Sequence, residues 1–167
     1  MMGVTGAGKT TVGRLLARRL GWEFHDADDL HARDSIEKMR RGEPLTDSDR
    51  EPWLDAVAAL IARLQHEGTD AVVACSALRS SYRRRLERSA GDIRFVFLHG
   101  PADVIEPRLA GRSGHFMHPR LLTSQLETLE PPAEALWVDA SQPPRAIVDE
   151  IRQRLGLAAG PLVSDDP

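Results

Sequence analysis

The sequence predicts an α/β fold, a parallel sheet with helices on both faces, on two observations. Short β-branched or aromatic runs bounded by turn residues alternate with helical patterns along the 167 residues, as a parallel sheet with crossover helices requires. The stretch GVTGAGKT, Gly3 to Thr10, fits GxxxxGK[ST], a phosphate-cradling loop that joins a strand to a helix. The length suits one domain with a full hydrophobic core. That domain is expected over 1–157, and the aperiodic tail 158–167 is expected to be flexible.

Only Met1 and Met2 precede the loop, where a strand of ~5 residues is expected. The N-terminal strand therefore reads as truncated, and a few apolar residues are expected upstream. Val12, Leu15, Leu16 and Leu20 fall at helical spacing with Gly21 as a stop, which predicts a helix from about Lys9 to Leu20. WEFHDADD, aromatic and then acidic, predicts a strand ending near Asp26. Helices follow at SIEKMRR and SDREPWLDAVAALIARLQ, the second opened by Thr46 and Asp49 at capping-box spacing. DAVVACS and IRFVFLHG read as strands, each leading into a helical pattern, LRSSYRRRLERS and ADVIEPRLAGR. Pro107 lies within the latter and should bend that helix or shift its start. A last strand, ALWVDA, leads through SQPP into the helix RAIVDEIRQRL.

The formal charge of −3 leaves no global basic field for nucleic acid, and 5% aromatic residues offer little base stacking. No apolar run reaches the ~18 residues of a membrane span, and no secretion signal is present. The single cysteine, Cys75, cannot form an intrachain disulfide. A cytoplasmic protein with neither membrane nor nucleic-acid partners is expected.

The phosphate loop gains weight from an internal control. Of 22 basic residues only Lys9 and Lys38 are lysine, and Lys9 stands where a compact ammonium must reach β- and γ-phosphate oxygens. Gly3, Gly6 and Gly8 let the backbone N–H groups of Val4, Thr5, Ala7 and their neighbours turn toward phosphate. The following helix N-terminus, through Thr10 and Thr11, adds its partial positive charge. Thr10 also offers a hydroxyl for Mg²⁺. ATP or GTP phosphate binding follows; the loop by itself does not separate kinase from GTPase or ATPase.

In HDADDLH, Asp26 and Asp28 stand two apart at the carboxyl end of the second strand, the edge where doubly wound sheets bind ligands. Phosphoryl transfer needs one carboxylate near hydrated Mg²⁺ and another to orient the acceptor hydroxyl and take its proton; Asp26 suits the first role and Asp28 the second. The same residues also fit a solvated acidic turn in which Asp28 or Asp29 caps a helix. His31 as a lone histidine fits a surface or capping position as well as a ligand. Cys75 reads as a small buried residue, since no activating partner is evident.

GVTGAGKTTVGRLLARRLGWEFHDADDLH, IEKMRRGEPLTDSDREPWL, VVACSALRSSYRRRL, RLAGRSGHFMHPRLLTSQLETLEP and VDASQPP together closely resemble the gluconokinases of the small phosphate-loop kinase superfamily, from Gly3 to about Leu155. The resemblance implies the three-layer P-loop kinase fold, transfer of the ATP γ-phosphoryl group to D-gluconate, and a cytoplasmic homodimer. It gives Lys9 the β- and γ-phosphates, gives Mg²⁺ to Thr10 and Asp26, and makes Asp28 the residue that orients the 6-hydroxyl. An acceptor-binding lobe is implied at about 29–66. His31, Lys38, Arg50, Ser76, Arg79, Arg83 and His115 are the expected acceptor-binding residues, with the arginine that holds the carboxylate left open. A lid is implied at about 108–130, in which Arg108 and Arg112 converge on the transferring phosphate. Gln142 and Pro143 are expected against adenine. Against the family pattern, Ala32, Ser35, Arg79 and Leu126 replace a usual proline, asparagine, lysine and phenylalanine, and Pro107 interrupts the lid helix.

Two competing functions remain at this level. One is a kinase for another small hydroxylated acid, shikimate-like; the acceptor-lobe motifs argue against it. The other is a nucleotide-binding module without turnover; Lys9, Thr10, Asp26, Asp28 and the lid arginines argue against that.

Overall fold

The computed structural model describes residues 1–110 and 121–158. Its elements follow the alternation read from the sequence. Helix α1 (Lys9–Leu20) is followed by strand β1 (Glu23–Asp26), a 3₁₀ turn (Ala27–Leu30), and helices α2 (Arg33–Arg40) and α3 (Asp47–His66). Then come β2 (Ala71–Ala74), α4 (Ser80–Glu87), β3 (Val96–His99), α5 (Ala102–Ala110), α6 (Leu121–Thr128), β4 (Leu136–Asp139) and α7 (Pro144–Leu155). The 3₁₀ turn and α6 were not anticipated. Helix α5 starts at Ala102 and runs through Pro107, so Pro107 removes one backbone donor without breaking the helix. Helix α3 opens with the expected capping box: Thr46 Oγ1 accepts from Asp49 N, and Thr46 N donates to the Asp49 carboxylate at 2.9 Å.

The strands form two parallel pairs, β1 with β2 and β3 with β4. Met1–Gly3 lies between the pairs and bonds to both. The Met1 ammonium donates to Val73 O at 2.9 Å, and Cys75 N donates to Met1 O at 3.0 Å. On the other side Met2 N donates to Val96 O at 2.7 Å, and Leu98 N donates to Met2 O at 3.0 Å. Short as it is, this segment therefore takes the place of the central strand. Burial pushes the Met1 ammonium down to about 6. Beyond Met1, β2 and β3 flank a cavity of about 620 Å³ lined mostly by apolar side chains, among them Trp22, Val72, Phe95 and Leu157.

Strand alternation sends side chains to two cores. Val72, Val96, Leu98 and Val138 pack with Val12 and Leu16 of α1 and with Ile147 and Ile151 of α7. Met2 and Phe97 face the other way, onto Trp53, Leu54 and Val57 of α3 and Leu86 of α4. These are the two helical layers of a three-layer fold. Among the described residues no helix is long and apolar enough to cross a membrane.

Leu98 is fully buried in the first core, so Leu98→Ala should lower the unfolding free energy by about 2–5 kcal/mol through lost contacts and a cavity. Thr46→Ala, which removes one cap at an exposed helix start, should cost about 1 kcal/mol. Urea denaturation of the two variants measures both, and the core substitution should be the larger loss.

Candidate active site

The phosphate loop leaves the sheet where Met1–Gly3 is held on both sides. Gly3 has φ +134°, and a Cβ there would come within 2.5 Å of Leu98 O. A side chain is thus excluded both by conformation and by the adjacent strand. Gly8 (φ 95°) forms the N-cap of α1 with no side-chain cap, which leaves the first-turn N–H groups for a bound anion. Val4, Thr5, Gly6 and Ala7 are buried, whereas Gly8, Lys9 and Thr10 are half-buried and Thr11 is exposed on α1. Lys9 Nζ donates to Val4 O at 3.1 Å, within the loop itself.

Asp26 ties the loop to the second strand. Its carboxylate accepts from Thr10 Oγ1 at 2.8 Å and from Asp28 N at 3.2 Å. Asp26 therefore caps the 3₁₀ turn, and neither Asp28 nor Asp29 caps α2, whose N-cap is Ala32 with no side-chain bond. The reason is positional: the turn begins where β1 ends, so the last strand residue is the one whose carboxylate meets the free N–H groups. The neighbouring Thr10 hydroxyl and Asp26 carboxylate suit Mg²⁺, a hard cation that takes few protein oxygens and keeps waters and phosphate as its other ligands.

Beyond the turn lies a pocket lined on one side by Asp28, His31, Arg50, Trp53, Ser76 and Tyr82, and on the other by Leu121, Ser124, Gln125 and Thr128 of α6. Trp53 organises its floor. Its indole N–H donates to Ala27 O at 2.7 Å, pinning the 3₁₀ turn that carries Asp28. The His31 ring lies flat on Trp53, centroids 4.6 Å apart and planes 7° from parallel. Burial and, after it, the charge of Arg50 push His31 down to about 4, so the ring is neutral near pH 7. Its Nδ1 is buried with no hydrogen-bond partner among the described residues.

The expected acceptor cations separate by position. Arg50 lines the pocket, donates to Tyr82 Oη at 3.4 Å and lies 3.5 Å from Asp47 Oδ1. Arg79 is paired with Asp47 at 2.6 Å. Arg83 is buried and donates to the Ala77 and Leu78 carbonyls at 3.0 and 3.1 Å, beside the left-handed Ala77 (φ 43°). It is thus spent on bracing the CSAL turn, a strained backbone in need of such support. Lys38 pairs with Asp49 at 2.7 Å, outside the pocket lining. Arg108 donates to Ala140 O at 2.7 Å, two residues before Gln142. Gln142 itself bonds Glu150, and Pro143 is the N-cap of α7. Arg112 and His115 lie outside the described residues, so the expected convergence of Arg108 and Arg112 does too. Trp53, Ser124, Gln125 and Thr128 were not singled out from the sequence. The thiol of Cys75, expected to be buried, is buried and pushed up to about 11 by that burial.

The shift of His31 has a testable consequence. Its pKa in the folded chain lies below the ordinary 6.5, so the unfolded chain takes up protons first as the pH drops. The stability contributed by the neutral ring should be complete above pH 6.5 and lost as the pH falls toward 4. An NMR titration should show the His31 resonance unchanged from pH 7 to 5.5, and His31→Asn should flatten the acid side of the stability curve.

Three comparisons relate this chain to known proteins. Residues 5–155 match the family model described as "Shikimate kinase". The chain is 41% identical to a probable gluconokinase of Xenopus tropicalis over 90% of this chain and 89% of the relative. It is likewise 41% identical to the thermoresistant gluconokinase of Escherichia coli (strain K12), over 89% of this chain and 87% of the relative. The crystal structure of a gluconokinase from Sinorhizobium meliloti 1021 superposes with a TM-score of 0.82 at 45% identity, covering 93% of this chain and 89% of that one. With a phosphate loop, a paired carboxylate turn and an adjoining polar pocket on that shared fold, the chain belongs to the gluconokinase family.

Proposed function

We propose that this protein transfers the γ-phosphoryl group of ATP to the 6-hydroxyl of D-gluconate, giving 6-phospho-D-gluconate. The observation that carries the reading is the pocket that gathers Asp28, His31 and Arg50 beside the phosphate loop, in a chain 41% identical to a thermoresistant gluconokinase. A sugar acid needs a cation for its carboxylate and several hydrogen bonds for its hydroxyls. Arg50 is the one of the three expected arginines that lines the pocket, and we assign the carboxylate to it. Neutral His31 and Ser76 serve the hydroxyls.

In the transfer Asp28 accepts the proton of the 6-hydroxyl as that oxygen bonds to the γ-phosphorus and the bond to ADP breaks. Lys9 follows the charge on the β- and γ-oxygens, together with the loop N–H groups and the N-terminus of α1. Thr10 and Asp26 would hold Mg²⁺, directly or through water, and it would neutralise developing phosphate charge. Arg108, anchored at Ala140, stands beside the segment Gln142–Pro143 that we assign to adenine. The roles of Arg112 and His115 rest on the resemblance alone, as do the homodimer and the cytoplasmic location.

Lys9→Ala and Asp28→Asn should each lower kcat by at least ~100-fold with the fold intact, since each removes a positioned electrostatic group. A rate near that of the parent in either variant would remove that residue from its role. Arg50→Gln should raise KM for gluconate ~10-fold or more and leave KM for ATP nearly unchanged. Gluconate-dependent ADP release, run in parallel with rival hydroxy acids, measures all three. Strong turnover of another acid and none of gluconate would overturn the assignment.

A further inference from the structure

Gln125 lies at the fifth position of α6. Its Oε1 accepts from Thr5 N at 2.6 Å, and the same residue lines the acceptor pocket. Thr5 is only 4% exposed, so a buried amide of the phosphate loop is satisfied by a side chain from the far wall of the acceptor pocket. Helix α6 is seated through its first turn: Leu121 packs with Met39 and Leu45, and Leu122 packs in the core shared with α1 and α7. A carboxamide holds an acceptor and two donors in one rigid plane. With its oxygen on Thr5 N, its NH₂ lies on the same planar group at the pocket wall, with two hydrogens to donate.

We propose that Gln125 is a positioning residue that couples acceptor binding to the phosphate loop. Its oxygen holds Thr5 while its NH₂ donates to a hydroxyl of the bound acceptor. The acceptor is thereby aligned against the loop that carries the γ-phosphate. Water at the same place engages neither Arg50 nor Gln125 in that spacing, so the contact also favours transfer to the acceptor over hydrolysis of ATP. The inference rests on the gluconate-kinase reading for the identity of the acceptor, and on Gln125 and Thr5 for the coupling.

The test compares Gln125→Ala with Gln125→Glu, which keeps an acceptor for Thr5 N but loses the donor. Gluconate phosphorylation and ATP hydrolysis without acceptor are measured in each, with thermal unfolding as a check on the fold. Both variants should raise KM for gluconate ~10-fold, the effect of one lost hydrogen bond to substrate. The ratio of phosphorylation to hydrolysis should fall by a similar factor. A role confined to packing would lower the two rates together and leave the ratio unchanged, and that result in either folded variant overturns the proposal. If the parent turns over another hydroxy acid and not gluconate, the functional assignment fails and the ratio is read with that acid. A parent that turns over no acid overturns both.

Discussion

The site depends on the hydrogen bonds that Met1, Met2 and Gly3 make to the strands on either side. Without them β1–β2 and β3–β4 would be two separate pairs, each too small to hold a shape in water. With them the sheet is continuous at the point where the phosphate loop departs. The loop can then be aimed, because Gly3 passes so close to Leu98 O that no other residue fits. The three residues that join the sheet are also the ones that direct the phosphate-binding amides, so core stability and site geometry share one element.

The acceptor side is built by different means. Trp53 reaches from α3 to Ala27 O and supports His31 on its ring face. The start of α3 is itself fixed by the Thr46–Asp49 capping box, and Lys38 from α2 adds an ion pair to the same Asp49. Burial beside Arg50 keeps His31 neutral near pH 7, so the ring can both donate and accept a hydrogen bond. Around Arg50, the Asp47 carboxylate accepts from Tyr82 Oη at 2.7 Å and pairs with Arg79. Arg50 lies 3.5 Å from the same Asp47, but neither Arg79 nor Arg83, the latter bonded to backbone carbonyls, lines the pocket. Among the described residues, Arg50 is the arginine that lines it.

Much of the fold was legible in the sequence because its signals are local. Helix α1 was placed from four leucines and valines and a terminal glycine, and the capping box of α3 from two residues three apart. The 3₁₀ turn escaped notice because its carboxylates also fit a helix cap, and only the end of β1 decides which N–H groups need one. Helix α6 escaped because LLTSQLET is short and its apolar residues show no clear period; it is held by Leu121 and Leu122 against distant partners.

The same division runs through the site. The sequence by itself determined the phosphate loop and the carboxylate pair, because consecutive backbone N–H groups, a lysine and a hydroxyl at fixed spacing are already the chemistry of phosphate binding. Only the tertiary structure decided which arginine lines the pocket. Arg50, Arg79 and Arg83 are equivalent as letters, and a long cationic side chain points wherever its partners lie: a strained carbonyl turn for Arg83, Asp47 for Arg79, and Tyr82 with Asp47 at the pocket wall for Arg50. The link from Gln125 to Thr5 was beyond any local reading for the same reason, since the two meet across 120 residues of chain.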